Sequence, residues 1–307
     1  LLDGVTRQTL TTKTKNFSMW NQIAAHISRV TGASFEISDR RSVSGGCINQ
    51  GYAVSNGNLT YFVKLNQASG LAMFEAEQAG LQQMQSTGTI RVPTPLCCGV
   101  ERGSAYLVLE WLPFGRGNSQ SWEVMGHKLA AMHQVATVDQ YGWRLNNTIG
   151  STPQINTWTT DWAEFWAVHR LGYQFQLAQR RGGHFPKHDQ LLTAIPKLLV
   201  NHRPQPSLVH GDLWSGNAAV TDSGEPVIFD PATYWGDREV DLAMTELFGG
   251  FPTEFYHGYS QTFPLDAGYQ QRKPLYNLYH VLNHFNLFGG SYEAQANRTI
   301  AQILDKV

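Results

Sequence analysis

No apolar run in this 307-residue sequence approaches the roughly 18 to 20 residues that a membrane-spanning helix needs, so no segment reads as a span. Charge is sparse as well: Asp, Glu, Lys and Arg make up 15% of the chain, and 23 basic against 24 acidic side chains leave a formal net charge of -1. Without a basic run, the attraction that underlies nucleic-acid and anionic-membrane binding is missing. Cysteine is scarce and odd in number: Cys47, Cys97 and Cys98. No second Cys or His cluster stands at zinc spacing, so the three read as thiols of a reducing compartment, and the expected location is cytoplasmic. Internal repeats and low-complexity stretches are also lacking. The first 18 residues carry no apolar segment of the kind a secretory leader has, and they are expected to form a tail or extension ahead of a natural start at Met19.

What is present is a globular composition, 42% hydrophobic, on a length that fits one large domain or two lobes. Trp20, Ile23, Ala24, Ile27 and Val30 recur at helical steps and predict an opening amphipathic helix. Candidate strands follow at 41–44, 51–55 and 59–65, then a helix at 74–85 and, after Pro93 and Pro95, a strand pair at 96–100 and 105–111. Beyond Pro113 long helical patterns dominate, at 122–135, 160–180, 189–201, 241–248 and 275–288. One β-rich island, 208–230, interrupts them and holds the densest polar constellation in the chain.

That island reads His210-Gly211-Asp212-Leu213-Trp214-Ser215-Gly216-Asn217, followed by Val227-Ile228-Phe229-Asp230-Pro231. Against the kinase catalytic loop H-R-D-L-x-x-x-N, the His, Asp, Leu and Asn fall in register, with Gly211 in place of Arg, and Asp230 ends an apolar strand as the Asp of D-F-G does. Phosphoryl transfer from ATP needs a carboxylate to take the hydroxyl proton and oxygen ligands for Mg²⁺. Asp212 is the candidate base, and Asn217 and Asp230 are the candidate metal ligands. Each short motif alone is ordinary turn material; their order and spacing carry the reading.

Upstream, Lys64 sits in Phe62-Val63-Lys64-Leu65, the pattern of a strand whose Lys grips the α- and β-phosphates. Glu75 and Glu77 on the next helix compete to pair with it, and the apolar neighbours Phe74 and Leu81 favour Glu77. Gly45, Gly46 and Cys47 form a turn suited to bringing backbone N–H groups to phosphates, although G-x-G-x-x-G spacing is absent. Leu107 to Pro113 reads as a buried strand turning into a hinge, with the Glu110 carbonyl and the Leu112 N–H as contacts for the adenine edge. Trp214, Trp235 and His284 are candidates for the acceptor side. His280 and His284, four apart, mimic a metal pair but lack the carboxylate of H-E-x-x-H. Trp158, Trp162, Trp166 and Tyr173 form an aromatic stripe read as core or wall. Asp241 is read as the N-cap of a helix.

From Met19 onward these residues resemble the fructosamine (ketosamine) kinase family, relatives of aminoglycoside phosphotransferases and choline kinases. The Gly-Gly-Cys-Ile-Asn loop, Phe62 to Leu65, Ile149-Gly150-Ser151-Thr152-Pro153-Gln154, His210 to Asn217, Phe229 to Ala232, Asp237 to Met244 and Leu287 to Gly290 carry the likeness. It implies an α+β, bilobal protein-kinase-like fold, with a small β-rich N-lobe over 19–111, a larger helical C-lobe over 112–307 and an ATP cleft between them. It implies ATP and Mg²⁺ as cofactors and phosphorylation of a sugar hydroxyl, typically O3, of fructosamines or ribulosamines, small or protein-bound, as a deglycation step. His210 and Asp241 become supports of the catalytic loop, and Cys47 a candidate redox switch. No nucleic acid, membrane or specific protein partner is expected. An aminoglycoside or choline acceptor is one alternative. A nucleotide-binding pseudokinase scaffold is another; it predicts a gap in the Lys64, Asp212, Asn217, Asp230 set, and there is none.

Overall fold

The computed structural model describes residues 19–44 and 48–306. Residues 1–18, expected to be a tail, and Gly45, Gly46 and Cys47, expected to form the phosphate loop and to carry the redox switch, lie outside the described residues. The chain divides into two compact units. One contains the described residues through Gln82 together with Pro93–Leu112, and the other takes Gln83–Val92 and everything from Pro113 onward.

The first unit is one antiparallel sheet. Strands β1 (Asp39–Val43), β2 (Gln50–Ser55), β3 (Thr60–Gln67), β4 (Pro95–Glu101) and β5 (Ser104–Glu110) lie in the order β1-β2-β3-β5-β4. Helix α1, residues 19–31, lays Trp20, Ile23, Ala24 and Ile27 on one face of this sheet, against Val54, Val63, Leu65, Cys97, Tyr106 and Val108. Val30, predicted as part of that stripe, is exposed. Because strand side chains alternate, Val63 and Leu65 on the α1 face force Lys64 to the other face. A short 3₁₀ turn, Ala68–Gly70, leads from β3 into α2 (Leu71–Ser86).

The second unit is mostly helical. It contains α3 (Ser119–Gln134), the hairpin β6 (Asn147–Ile149) and β7 (Thr152–Gln154), and a continuous helical stretch built of α4 (Trp162–Phe165), a π-turn over Trp166–Gly172 and α5 (Tyr173–Arg180). Then come α6 (His188–Leu198), β8 (Ser207–Val209), a 3₁₀ turn over Ser215–Asn217, β9 (Ala218–Val220), β10 (Pro226–Ile228), β11 (Tyr234–Gly236), α7 (Glu239–Leu247), α8 (Thr253–Thr262), α9 (Tyr269–Phe288) and α10 (Tyr292–Leu304). β8 pairs with β11 and β9 with β10, both antiparallel, so the ends of the catalytic-loop segment are pinned by two small ladders. Within the aromatic stripe, Trp162 and Trp166 are core, packed on Tyr276, whereas Trp158 is exposed. Among the described residues no helix is long and apolar enough to cross a membrane.

Candidate active site

The segment between β8 and β9 is irregular and is fixed by hydrogen bonds. Asp241 carries most of that task. It is the third residue of α7, not the N-cap the sequence predicts, because the helix already opens at Glu239. Its fully buried carboxylate reaches across to the loop, where Oδ2 accepts the His210 N–H at 2.7 Å and Oδ1 accepts the Gly211 N–H at 2.8 Å. Burial alone would raise its pKa, but the hydrogen bonds from His133 and the Gly211 N–H outweigh that and hold it below the ordinary carboxylate value. Gly211 has φ +81°, and a Cβ there would collide with the Ala232 carbonyl oxygen. That explains why glycine stands where protein kinases carry Arg.

His210 ties the two acidic segments together. The Asp212 N–H donates to its Nδ1 at 3.2 Å, which places the ring proton on Nε2, donating to the Phe229 carbonyl at 2.8 Å. Burial keeps this imidazole's pKa low, consistent with the neutral ring the two bonds require. Asn217 closes the loop: its Nδ2 donates to the Asp212 carbonyl at 2.9 Å and to Asp212 Oδ2 at 3.3 Å. Its own carbonyl accepts the Phe229 N–H at 3.0 Å. Asp230, the next residue, has φ +57°, a left-handed conformation uncommon for a residue other than glycine and recurrent at functional sites. Asp212 is half-buried, and burial, followed by the neighbouring Asp230 charge, pushes its carboxyl up to about 7. A carboxylate poised there is matched to taking a proton near neutral pH.

Sequence reasoning missed the support behind this loop. His133, from α3, is fully buried, with Nε2 3.1 Å from Asp241 Oδ2 and Nδ1 2.8 Å from the Tyr259 hydroxyl of α8. Arg238, which can only donate, approaches the Tyr259 oxygen at 3.3 Å. The hydroxyl proton therefore turns to Nδ1 and the His133 proton to Asp241. The β6–β7 hairpin is a second support. Gln154 donates to the Ala232 carbonyl and to Asn147 Oδ1, both at 2.9 Å, while Asn147 donates to the Thr233 carbonyl at 2.8 Å. The fully buried Arg170 of the π-turn lies 3.9 Å over the Tyr234 ring and donates to Asn156 Oδ1 at 2.7 Å. The family-like segment Ile149 to Gln154 thus braces the backbone that follows Asp230.

In the first unit, Lys64 Nζ lies 2.5 Å from Glu77 Oε1; Glu75 is exposed. Lys64 is only 5% exposed, so it is a buried lysine rather than a solvated surface one. Glu110 ends β5, its N–H donating to the Thr94 carbonyl at 2.8 Å and its carboxylate accepting the Thr94 N–H at 3.1 Å. Leu112 lies just past that strand.

The acceptor candidates separate by exposure. Trp214 is 39% exposed, and its ring folds back over Gly216, where any Cβ would strike it. Trp235 is 2% exposed in β11, with its backbone bonded to Gly142, so its side chain lies in the core rather than on an open acceptor surface. His284 is half-buried in an aromatic cluster with Phe248, Phe288 and Tyr292. His280 is buried, and that burial lowers its pKa to about 3, so it is a neutral core residue. One further acidic cluster, His202, Glu239 and Asp266, brings ligand atoms within 4.8 Å of one another, but Arg272 already bridges its two carboxylates at 2.6–2.7 Å.

An antiparallel five-stranded sheet with a Lys–Glu pair, followed by a helical unit bearing a His-Gly-Asp loop, an Asn five residues on and an Asp at the end of the next strand, defines a kinase of the protein-kinase-like fold. Within that class the chain belongs to the fructosamine kinase family, whose model matches residues 19–306. It is 60% identical to a protein of Synechocystis sp. named as a probable ketoamine kinase, over 93% of this chain and 97% of that one. To the chloroplastic protein-ribulosamine 3-kinase of Arabidopsis thaliana it is 44% identical, covering 89% and 85%. A crystal structure from Haemophilus somnus 129PT, named as that of a putative fructosamine-3-kinase, superposes with a TM-score of 0.89 at 33% identity, covering 95% and 99%. Choline kinase LicA from Streptococcus pneumoniae shares the fold alone, with a TM-score of 0.63 at 15% identity over 94% and 100%.

Proposed function

We propose that the protein transfers the γ-phosphoryl group of ATP to a hydroxyl, O3, of a ketoamine such as a fructosamine or ribulosamine, a deglycation step. The observation that carries the reading is the Asp212–Asn217–Asp230 arrangement, in which one carboxyl is pushed up to about 7 beside two further oxygen donors. Asp212 accepts the hydroxyl proton as that oxygen bonds to phosphorus and ADP departs with the bridging oxygen. Asn217 spends its amide nitrogen on Asp212 and so turns its amide oxygen, with the Asp230 carboxylate, toward a hard cation; this donor set fits Mg²⁺. Bound there, Mg²⁺ supplies charge neutralisation between the phosphates. Lys64, held by Glu77, grips the α- and β-phosphates, with Gly45, Gly46 and Cys47 and the Glu110–Leu112 segment as the further nucleotide contacts. Trp214 and His284 face the acceptor. A cytoplasmic location goes with this reading, supported by the free thiols Cys97 and Cys98.

The ketoamine acceptor is supported by the names of relatives at 60% and 44% identity; the choline alternative has only a fold likeness at 15% behind it. Coupled ADP release with ribulosamine, fructosamine, an aminoglycoside and choline is the test. Turnover with ketoamines and none with the other two is expected. Turnover confined to an aminoglycoside or choline would replace the acceptor, and ADP release with none of the four would remove the reading.

A further inference from the structure

Phe114 is an aromatic residue the proposed chemistry does not use. It is 52% exposed, unusually open for so large an apolar ring, yet its backbone is tightly held. The Asp222 N–H donates to the Pro113 carbonyl at 3.1 Å, the Gly115 N–H donates to the Val220 carbonyl at 2.9 Å, and Phe114 itself bridges to Thr221. A Cβ on Gly115 would lie 2.7 Å from the Asp222 Cα, so the glycine is what lets the two backbones meet so closely. A hydrophobic ring left in water on a floppy loop needs no explanation; one braced on both sides does.

The ring's inner face stacks on Phe229, with centroids 5.3 Å apart and planes 16° apart. Phe229 is itself fixed at both ends of its peptide unit, its N–H on the Asn217 carbonyl at 3.0 Å and its carbonyl on His210 Nε2 at 2.8 Å. It immediately precedes Asp230. The exposed face of Phe114 is therefore built rigidly onto the backbone that carries both candidate metal ligands. Along the chain it stands two residues beyond Leu112.

We infer that the outer face of Phe114, backed by Phe229, is the stacking platform for the purine base of the nucleotide. The inference rests on the proposed ATP-dependent reaction and adds the residue that holds the base by its face. The occupant is set by continuity: the phosphates belong at Asn217 and Asp230, and a planar heteroaromatic attached to them is the ligand that covers a neighbouring aromatic face. Base–aromatic stacking needs only a π-face on the ligand, which every base has.

Titration calorimetry with AMP-PNP and with tripolyphosphate, each with Mg²⁺, tests this on the full chain as wild type, Phe114→Ala, Phe114→Leu and Phe114→Tyr, with thermal unfolding to confirm that each is folded. The expected result is an AMP-PNP affinity about tenfold weaker in Phe114→Ala and Phe114→Leu and near wild type in Phe114→Tyr, with tripolyphosphate bound equally by all four. In turnover, KM for ATP rises by a similar factor while kcat and KM for the ketoamine stay within about twofold. AMP-PNP binding by Phe114→Ala within twofold of wild type overturns the platform and leaves the proposed reaction standing. Recovery in Phe114→Leu also overturns it, because an apolar lid over Phe229 would then suffice. Wild-type protein that binds tripolyphosphate but not AMP-PNP overturns both.

Discussion

As the proposed base, Asp212 would serve the reaction at the expense of the fold. With its carboxyl pushed up to about 7 by burial and the Asp230 charge, the ionised form the reaction needs is the form the site disfavours. The rate with respect to free enzyme, kcat/KM, should therefore climb as pH rises through about 7, following one ionisation. Asp212→Asn should reduce turnover by several orders of magnitude. The same change should stabilise the protein. A carboxyl whose folded pKa is raised makes the fold bind more protons than the unfolded chain between pH 3.8 and about 7, so stability falls as pH rises through that window. Asp212 keeps part of its surface in contact with water, so the relief at pH 7.5 is put at about 2 kcal/mol, less than the full shift would give. Urea unfolding at pH 7.5 and at pH 4 measures it. A variant no more stable than wild type at pH 7.5, or one retaining near-normal kcat, contradicts the assignment. Both properties were legible at residue level only in part: the motif exposes Asp212, Asn217 and Asp230, whereas the burial that chiefly raises Asp212, and the closeness of the Asp230 charge that adds to it, exist only once the loop is folded.

At the scale of elements, the legible parts are those with a local pattern. Lys64 and Glu77 were readable because a strand alternates and a helix repeats, so thirteen residues of chain placed them on facing sides. His133 was not, since its bonds run to Asp241 and Tyr259, 108 and 126 residues away, with nothing local to mark it. The same holds for Arg170 and for Gln154, whose contacts cross 78 residues to Ala232. Helix α8 was missed for another reason: Thr253 to Thr262 is rich in aromatics and polar residues with weak helix preference, and packing holds it in place. That packing is against α3 at glycine contacts. A Cβ on Gly258 would run into the Glu123 carbonyl and one on Gly126 into the Phe255 carbonyl, so the backbones of α3 and α8 touch. Since α3 carries His133 and α8 carries Tyr259, this contact also sets the spacing of the support behind the catalytic loop. Gly258→Ala gains about 1 kcal/mol in helix propensity but must separate the helices. The net effect should be destabilisation of about 2 kcal/mol, with turnover reduced further than stability alone explains. Equal or greater stability on urea unfolding would show that the helices do not meet this closely.

For the whole molecule, the balance of buried titrating groups dictates a characteristic response to acid. Five histidines, His26, His169, His210, His280 and His284, have pKa values lowered by burial, His280 to about 3. Below pH 6.5 each binds protons more readily in the unfolded chain, so each loses stability as pH falls. Asp212 and Glu239, both raised chiefly by burial, act in the opposite sense and gain stability as pH falls, Asp212 from about 7 toward 4. His202 adds to that side: its bond to Asp237 outweighs burial and raises it, so its stabilisation is complete once pH is below 6.5. Down to about pH 4 the two sets oppose each other, and stability should change little. Below that the carboxyl compensation is exhausted while His280 is still neutral in the fold. Asp241 and Asp266, both lowered, then begin to lose their share as well. The unfolding free energy from urea titrations should therefore be nearly flat from pH 7 to about 4 and fall steeply below. Asp212→Asn removes one compensating group, so its curve should start higher at pH 7, decline continuously from about pH 6.5 and meet the wild-type curve near pH 4. Parallel curves for the two proteins, or a wild-type decline already under way at pH 6, would mean that Asp212 does not titrate near neutrality, and the base assigned to the reaction would have to be sought elsewhere.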